Sequence, residues 1–317
     1  MASTSETEAA VQAATDKIID YCRQNNSYPM WTVTNKVSKL SPNPKALPTR
    51  WAWSDFRKIL LETCTIVPEH MAERRALMMV NPGFPAVNGS SPFTTDTLYA
   101  GFQTVLSGET APAHRHMAYA VRLILESDKG FTSVAGHKIY LEAGDFVLTP
   151  SWEWHYHGND GTTPTIWVDC LDIPLHIFAR INFLELYPTP SVPDLVTQGS
   201  PFHFSWKEAK RALDSQAGPH AIYHYLRNAE KFSKGYAIKA FQETCSFIYV
   251  VINGSGLSKI KSPAGESTIE WKEKDVFVVP AWSCVEHVCS DESDTYLIAL
   301  TDRAFGEALG LSRVTYG

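Results

Sequence analysis

Eleven histidines are spread over 317 residues, yet four of them fall in two short runs: AHRHMAYAVR carries His114 and His116, and PSWEWHYHGN carries His155 and His157. Imidazoles grouped in this way suit metal ligation or proton transfer, because the neutral ring offers a lone pair and titrates near neutrality. His114 and His116 stand two apart, and on a strand such side chains share a face. His155 follows a sharp PSW corner and comes from another strand or turn. Three neutral imidazoles inside a barrel would hold zinc, copper, nickel or iron with positions left open. They leave the ion's charge uncompensated, which favours an anionic, chelating substrate such as a hydroxylated aromatic carboxylate.

The elements that must position these rings are strands. LYAGFQTVL, YAVRLILE, GFTSVAG, KIYLEAG, DFVLTP and TPTIWVDCLDIPL are short apolar or alternating runs broken by turn residues, the pattern of a β-barrel or sandwich. Before them the spacing predicts a helix from Ala9 to Arg23, behind a frayed start, and another from Ser54 as N-cap to Thr63. A proline-rich stretch from Leu175 to Phe204 predicts a connection, and a second β-rich block runs from Tyr223 to Leu300.

The two β blocks repeat one another. GDFVLTPSWEWHYH aligns with KDVFVVPAWSCVEH, pairing Asp145 with Asp275, Trp152 with Trp282 and His157 with His287. AVRLILESDKG aligns with FIYVVINGSG. The second copy keeps the strand pattern but sets Phe241, Glu243 and Val285 against His114, His116 and His155. An internal repeat means two copies of one structural unit, and strand formation alone therefore does not require the three histidines.

Composition narrows the function. The net charge is −6, and there is no basic stripe of the kind that binds nucleic acid. No apolar run approaches the roughly 20 residues that span a bilayer. The N-terminal MASTSETEAAVQAATDK lacks a basic start and apolar core, so a cytoplasmic location is expected. The six cysteines form no CxxC pair, which predicts reduced, mostly buried thiols rather than disulfides or a thiolate zinc site.

The histidine spacing resembles the cupin signature. Gly108 precedes His114-x-His116 by the expected five residues, and Gly144, Pro150, His155 and Asn159 follow the second motif, with Trp152 in place of a glycine. The glutamate ligand of many cupins would fall at Ala120 or Val121 and is absent. Nearly end to end, through PMW, AERRALMMVNPG, TLYAGFQTVLSGE, APAHRHMAYAVR, GDFVLTPSWEWHYHGN and TIWVDCLDIPL, the chain resembles the gentisate 1,2-dioxygenase family of bicupins, with its salicylate and hydroxynaphthoate dioxygenases.

That resemblance implies a mainly β bicupin, two double-stranded β-helix barrels with N-terminal helices. The expected division is an N-terminal helical and extended segment over 1–96, a metal-binding cupin over 97–175, a linker with a connecting helix over 176–222, and a metal-free second cupin over 223–317. It implies Fe(II) on His114, His116 and His155. It also implies cleavage by dioxygen between the carboxyl-bearing and adjacent hydroxyl-bearing ring carbons, as in gentisate to maleylpyruvate. Arg122 is expected to pair with the substrate carboxylate. His157 would serve proton transfer, with Asp169 as its acidic partner. Gln103, Tyr99, Trp152 and one of Arg74 and Arg75, Arg74 by preference, are expected around the substrate, and Asp172 to cap a turn. The expected partners are a small aromatic acid, dioxygen and further copies of the chain, as a dimer or tetramer.

One departure stands out. Where the family carries Thr-Gln-Ser or similar after the first motif, this chain has Met117, Ala118 and Tyr119. That change points to a larger or less polar substrate. It also keeps open a metal-dependent isomerase, lyase or cyclase, or an oxygenase of a larger aromatic product.

Overall fold

The computed structural model describes residues 4–72, 74–84, 92–225, 227–290 and 292–316; Glu73 of the AERRALMMVNPG run lies outside them. Contacts divide the chain into a unit of residues 1–43 and a unit of residues 44–317. The first holds the helix Thr4–Gln24, which begins ahead of the expected Ala9, and short helical turns at Met30–Thr32 and Thr34–Val37.

The second unit is two barrels, each made of two sheets. In the first barrel one sheet runs His203–Phe204, Phe146–Thr149, Ala120–Glu126, Thr165–Leu171, Tyr99–Val105 and Arg75–Met78. Its facing sheet runs Leu184–Leu186, Thr110–His116, His155–Asn159, Gly130–Val134, His137–Tyr140 and Leu195–Val196. The second barrel repeats this arrangement. One of its sheets contains Val276–Val279, Phe247–Asn253 and Thr295–Thr301, and the other Ser255–Ser262, Cys284–Cys289 and Phe241–Glu243.

The alternation of side chains gives each central strand two buried faces, because the barrels pack sheet against sheet. Outward-facing Phe102, Leu123, Leu125, Ile166 and Val168 of the first barrel share one core with Ile248, Val250, Val276, Val278, Ile298 and Leu300 of the second. Inside, the barrels differ. The second is filled by Phe232, Phe247, Tyr249, Val251, Trp271, Phe277 and Leu297. The first has a smaller apolar plug of Val105, Ile124, Val134, Ile139, Val147 and Trp167, which leaves room above it for polar groups.

Several segments outside the expected strands also join the barrels. Thr49–Trp51, ahead of the helix Trp53–Ile66, pairs with Val276–Val278 in the second barrel, while Arg75–Met78 joins the first. The proline-rich connection supplies the helix Ile173–Ala179 and three short edge strands, followed by the helix Trp206–Asp214. The second barrel's hairpin starts at His220, slightly ahead of the expected Tyr223. The helix expected from Ser54 begins at Trp53 with Ala52 as its cap. Trp51 is buried in the core shared by the barrels, and Trp53 packs against that core. Among the described residues no helix is long and apolar enough to cross a membrane.

Candidate metal centre

The strand Thr110–His116 carries His114 and His116, and His155 opens the antiparallel neighbour directly opposite His114. The ring centroids of His155 lie 4.2 Å from His114 and 4.8 Å from His116. The candidate ligand nitrogens all lie within 4.8 Å of one another.

A backbone carbonyl two residues away orients each ring. Nδ1 of His114 meets Pro112 O at 2.8 Å, that of His116 meets Ala118 O at 2.7 Å, and that of His155 meets Glu153 O at 2.9 Å. A carbonyl only accepts, so Nδ1 is the donor in all three and Nε2 is left as a lone pair. Nε2 of His114 is buried with no hydrogen-bond partner among the described residues. A buried acceptor without a donor is costly, and a metal ion would satisfy it. Burial, reinforced by the charge of Arg74, pushes His114 down to about 3. Burial likewise lowers His116 and holds His155 well below its ordinary value. The rings are neutral at pH 7 and need shed no proton to ligate. The donor set, three unprotonated imidazole nitrogens with neither thiolate nor carboxylate, fits a divalent transition ion with open positions.

The other polar groups cluster beneath the histidines. Arg122 and Asp169 are cross-strand neighbours joined by an ion pair of 2.8 Å, and Trp167 Nε1 donates to Asp169 at 2.8 Å. The acidic partner expected for His157 is therefore bound to Arg122. His157 Nδ1 instead meets the hydroxyl of Thr132 at 3.1 Å, and the same hydroxyl accepts from Arg122 at 3.4 Å. Burial first, and then the charge of Arg122, holds His157 well below its usual value. Two buried donors, Nε of Arg122 and Nε2 of Gln103, have no hydrogen-bond partner among the described residues.

Tyr99 lies against Gly101, where a Cβ would run into its hydroxyl, and burial first, then the charge of Asp169, raises its pKa. Of the two adjacent arginines, Arg75 is engaged with Glu109 at 2.5 Å and with Val67 O at 2.9 Å. Arg74 shares a crevice with Gln103, and its charge acts on His114 and His116. Trp152, expected at the pocket wall, instead packs on the outward-facing Arg115 and on Phe183. The Met117, Ala118, Tyr119 departure is divided between the two sides of the chain. Ala118 gives its carbonyl to His116, and Tyr119 lines an apolar cavity of about 420 Å³ between the barrels. Asp172 stands at the start of the helix Ile173–Ala179 and accepts from Tyr119 N at 2.8 Å.

The repeat provides an internal comparison. Phe241 stands opposite Val285 as His114 stands opposite His155. Glu243 replaces His116, and Arg303 takes both of its oxygens at 2.7 Å. His287 keeps the place of His157, with Ser258 Oγ on its Nδ1 at 2.7 Å. The second barrel thus preserves the strand positions and lacks the three-histidine cluster.

A family model for the cupin domain matches residues 101–173. The chain is 32% identical to gentisate 1,2-dioxygenase 1 of Aquipseudomonas alcaligenes, over 90% of this chain and 91% of that protein. It is 29% identical to 5-aminosalicylate 1,2-dioxygenase of a Comamonas species, over 95% of this chain and 90% of that protein. Its fold superposes on salicylate 1,2-dioxygenase of Pseudoaminobacter salicylatoxidans, a glycine-to-alanine variant crystallised with gentisate. That match has a TM-score of 0.85 and 25% identity, and covers 95% of this chain and 94% of that chain.

Proposed function

The chain belongs to the gentisate 1,2-dioxygenase family of aromatic ring-cleaving dioxygenases, and on that premise we propose that it opens the ring of a hydroxylated aromatic carboxylic acid with Fe(II) held by His114, His116 and His155. The observation that carries the metal assignment is the common orientation of the three rings. Each gives Nδ1 to a carbonyl and keeps Nε2 free for the ion. When bound, the iron supplies the centre at which dioxygen and the substrate oxygens meet, and the bond broken lies between the carboxyl-bearing and adjacent hydroxyl-bearing carbons.

The chain's own residues bind and orient. Arg122 offers a buried guanidinium with a spare Nε donor, and Gln103 a spare amide N–H. An incoming carboxylate and hydroxyl would satisfy donors that are otherwise costly to bury. Asp169 holds the guanidinium through its Nη2. His157, held by Thr132 and kept neutral by burial, is available to accept the substrate's phenolic proton. Tyr99 forms a wall made possible by Gly101, and Arg74 adds positive charge that favours an anionic substrate. Tyr119 lines the cavity between the barrels, so that one residue of the departure does not bear on substrate size.

We further propose a homo-oligomer, dimer or tetramer, acting in the cytoplasm. Exposed Leu184, Leu186, Val314 and Tyr316 on sheet edges support self-association. The test of function is an oxygen-electrode screen of metal-replete protein with gentisate, salicylate and 1-hydroxy-2-naphthoate. Uptake of dioxygen with rising near-ultraviolet absorbance is expected for at least one. No uptake with any of them would sink the proposal.

A further inference from the structure

The residue between the two metal-binding histidines of the first motif points the other way. Arg115 alternates to the outer face of its strand, where its guanidinium carbon sits 4.5 Å from the ring centroid of Trp152 and 4.5 Å from that of Trp154. Nε and Nη2 both reach one carboxylate oxygen of Glu185, at 2.9 and 2.6 Å. Trp152 in turn packs at a tilt against Phe183, centroids 4.7 Å apart, and Trp154 meets Tyr187 edge to face at 4.8 Å. One cation therefore ties together three stretches of chain: the strand of His114 and His116, the turn leading to His155, and the edge strand Leu184–Leu186.

The backbone connects this outer clamp to the rings inside. Trp152 holds φ at 66° and donates its N–H to the carbonyl of His116 at 2.9 Å. Trp154 immediately precedes His155, and Glu153, between the two tryptophans, supplies the carbonyl that orients the His155 ring. Leu184 and Leu186 pair with His116 and His114. Any shift of the turn relative to the strand moves His155 relative to the other two rings.

The second barrel shows what the same site looks like without a metal to serve. Gln242 replaces Arg115, and Thr315 faces it in the register that Glu185 holds in the first barrel. Trp282 keeps the positive φ, at 57°, and donates to Glu243 O at 2.6 Å. Cys284 replaces Trp154, and the uncharged Gln242 donates to the Trp282 carbonyl at 2.7 Å and accepts from the Thr315 hydroxyl at 3.5 Å, with no cation between two indoles. The turn therefore forms without the clamp. The clamp accompanies the histidines.

We propose that Arg115, sandwiched by Trp152 and Trp154 and tied to Glu185, is a positioning residue that sets the spacing of the metal-binding histidines from outside the barrel. This rests on the metal assignment above. A stacked guanidinium with a fork of donors suits the task, because it fixes direction as well as charge. Groups that orient ligands from behind typically matter 10- to 100-fold in metal affinity, so about that loss is expected here.

The test is anaerobic titration of cobalt(II) into metal-free protein, followed by its visible absorption bands. Arg115→Gln, which installs the second barrel's residue, should weaken cobalt binding about tenfold or more and shift the bands. Glu185→Gln, which frees only the exposed end of the clamp, should weaken binding in the same direction. Lys138→Gln removes another outer-face cation, 3.8 Å from the Phe131 ring centroid and 2.9 Å from Asp160. It should leave affinity and spectrum unchanged. Parent-like affinity and bands in both clamp variants would overturn the inference, as would an equal loss in Lys138→Gln. Absence of cobalt binding by the parent chain would instead overturn the metal assignment beneath it.

Discussion

Arg122 and Asp169 stand directly opposite one another on adjacent strands and join their side chains at 2.8 Å inside the first barrel. Both are buried, so removing one strands the other. Arg122→Met should destabilise the fold by about 3–5 kcal/mol. Arg122→Met with Asp169→Leu should recover much of that, read by denaturant unfolding. Binding separates the two roles. Both variants should lose affinity for a hydroxybenzoate, by about 10- to 100-fold for a charge-assisted contact, while a phenol without the carboxylate binds as before. Equal loss for both ligands would show that Arg122 supports the barrel without contacting the carboxylate.

His155 and Val285 occupy matching places in the two barrels, each opposite the first residue of the three-position set. His155→Ala should abolish dioxygen uptake and reduce stoichiometric metal binding while circular dichroism stays that of the parent. Val285→His should not create a second centre, because Phe241 offers no ligand and Arg303 occupies both oxygens of Glu243. Metal analysis of the two variants checks both outcomes.

His157 and His287 make the same hydrogen bond in the two barrels, to Thr132 and Ser258. A purely structural duty would make both equally dispensable to turnover. Proton transfer at His157 predicts that His157→Asn lowers kcat by about 10²–10⁴-fold, whereas His287→Asn leaves kcat unchanged. Comparable kcat for the two variants would assign His157 to the scaffold.

Burial pushes His287 down to about 3. The unfolded chain takes up that proton near pH 6.5 and the folded chain does not. Stability from this residue is therefore complete above about pH 6.5 and is lost as pH falls toward 3, at up to about 1.4 kcal/mol per pH unit. His287→Leu should flatten the fall between pH 6 and pH 4 by about one proton's worth, measured as urea unfolding at fixed pH. An unchanged slope would mean that His287 titrates normally in the folded chain.

Much of this was legible in the residues. The His114, His116 and His155 cluster followed from strand periodicity and spacing, and the repeat exposed its own metal-free copy. What escaped were relationships that local pattern does not encode. Thr49–Trp51 is too short to announce itself, and only pairing with Val276–Val278 makes it a strand. Asp169 was assigned to His157, but its place opposite Arg122 depends on register, which sequence spacing does not fix. Trp152 looked like a pocket residue because it sits in the motif; a positive φ and the pull of Arg115 turn it outward. Tyr119 faces the other barrel, a surface no single repeat reveals.

The most direct measurement is anaerobic titration of Fe(II) into metal-free protein, with dioxygen uptake measured at each step on the substrate found in the screen. Uptake should rise linearly and saturate at one iron per chain, with zinc unable to replace it. Saturation at two ions per chain, full turnover with zinc, or turnover that ignores added iron would contradict a single three-histidine iron centre.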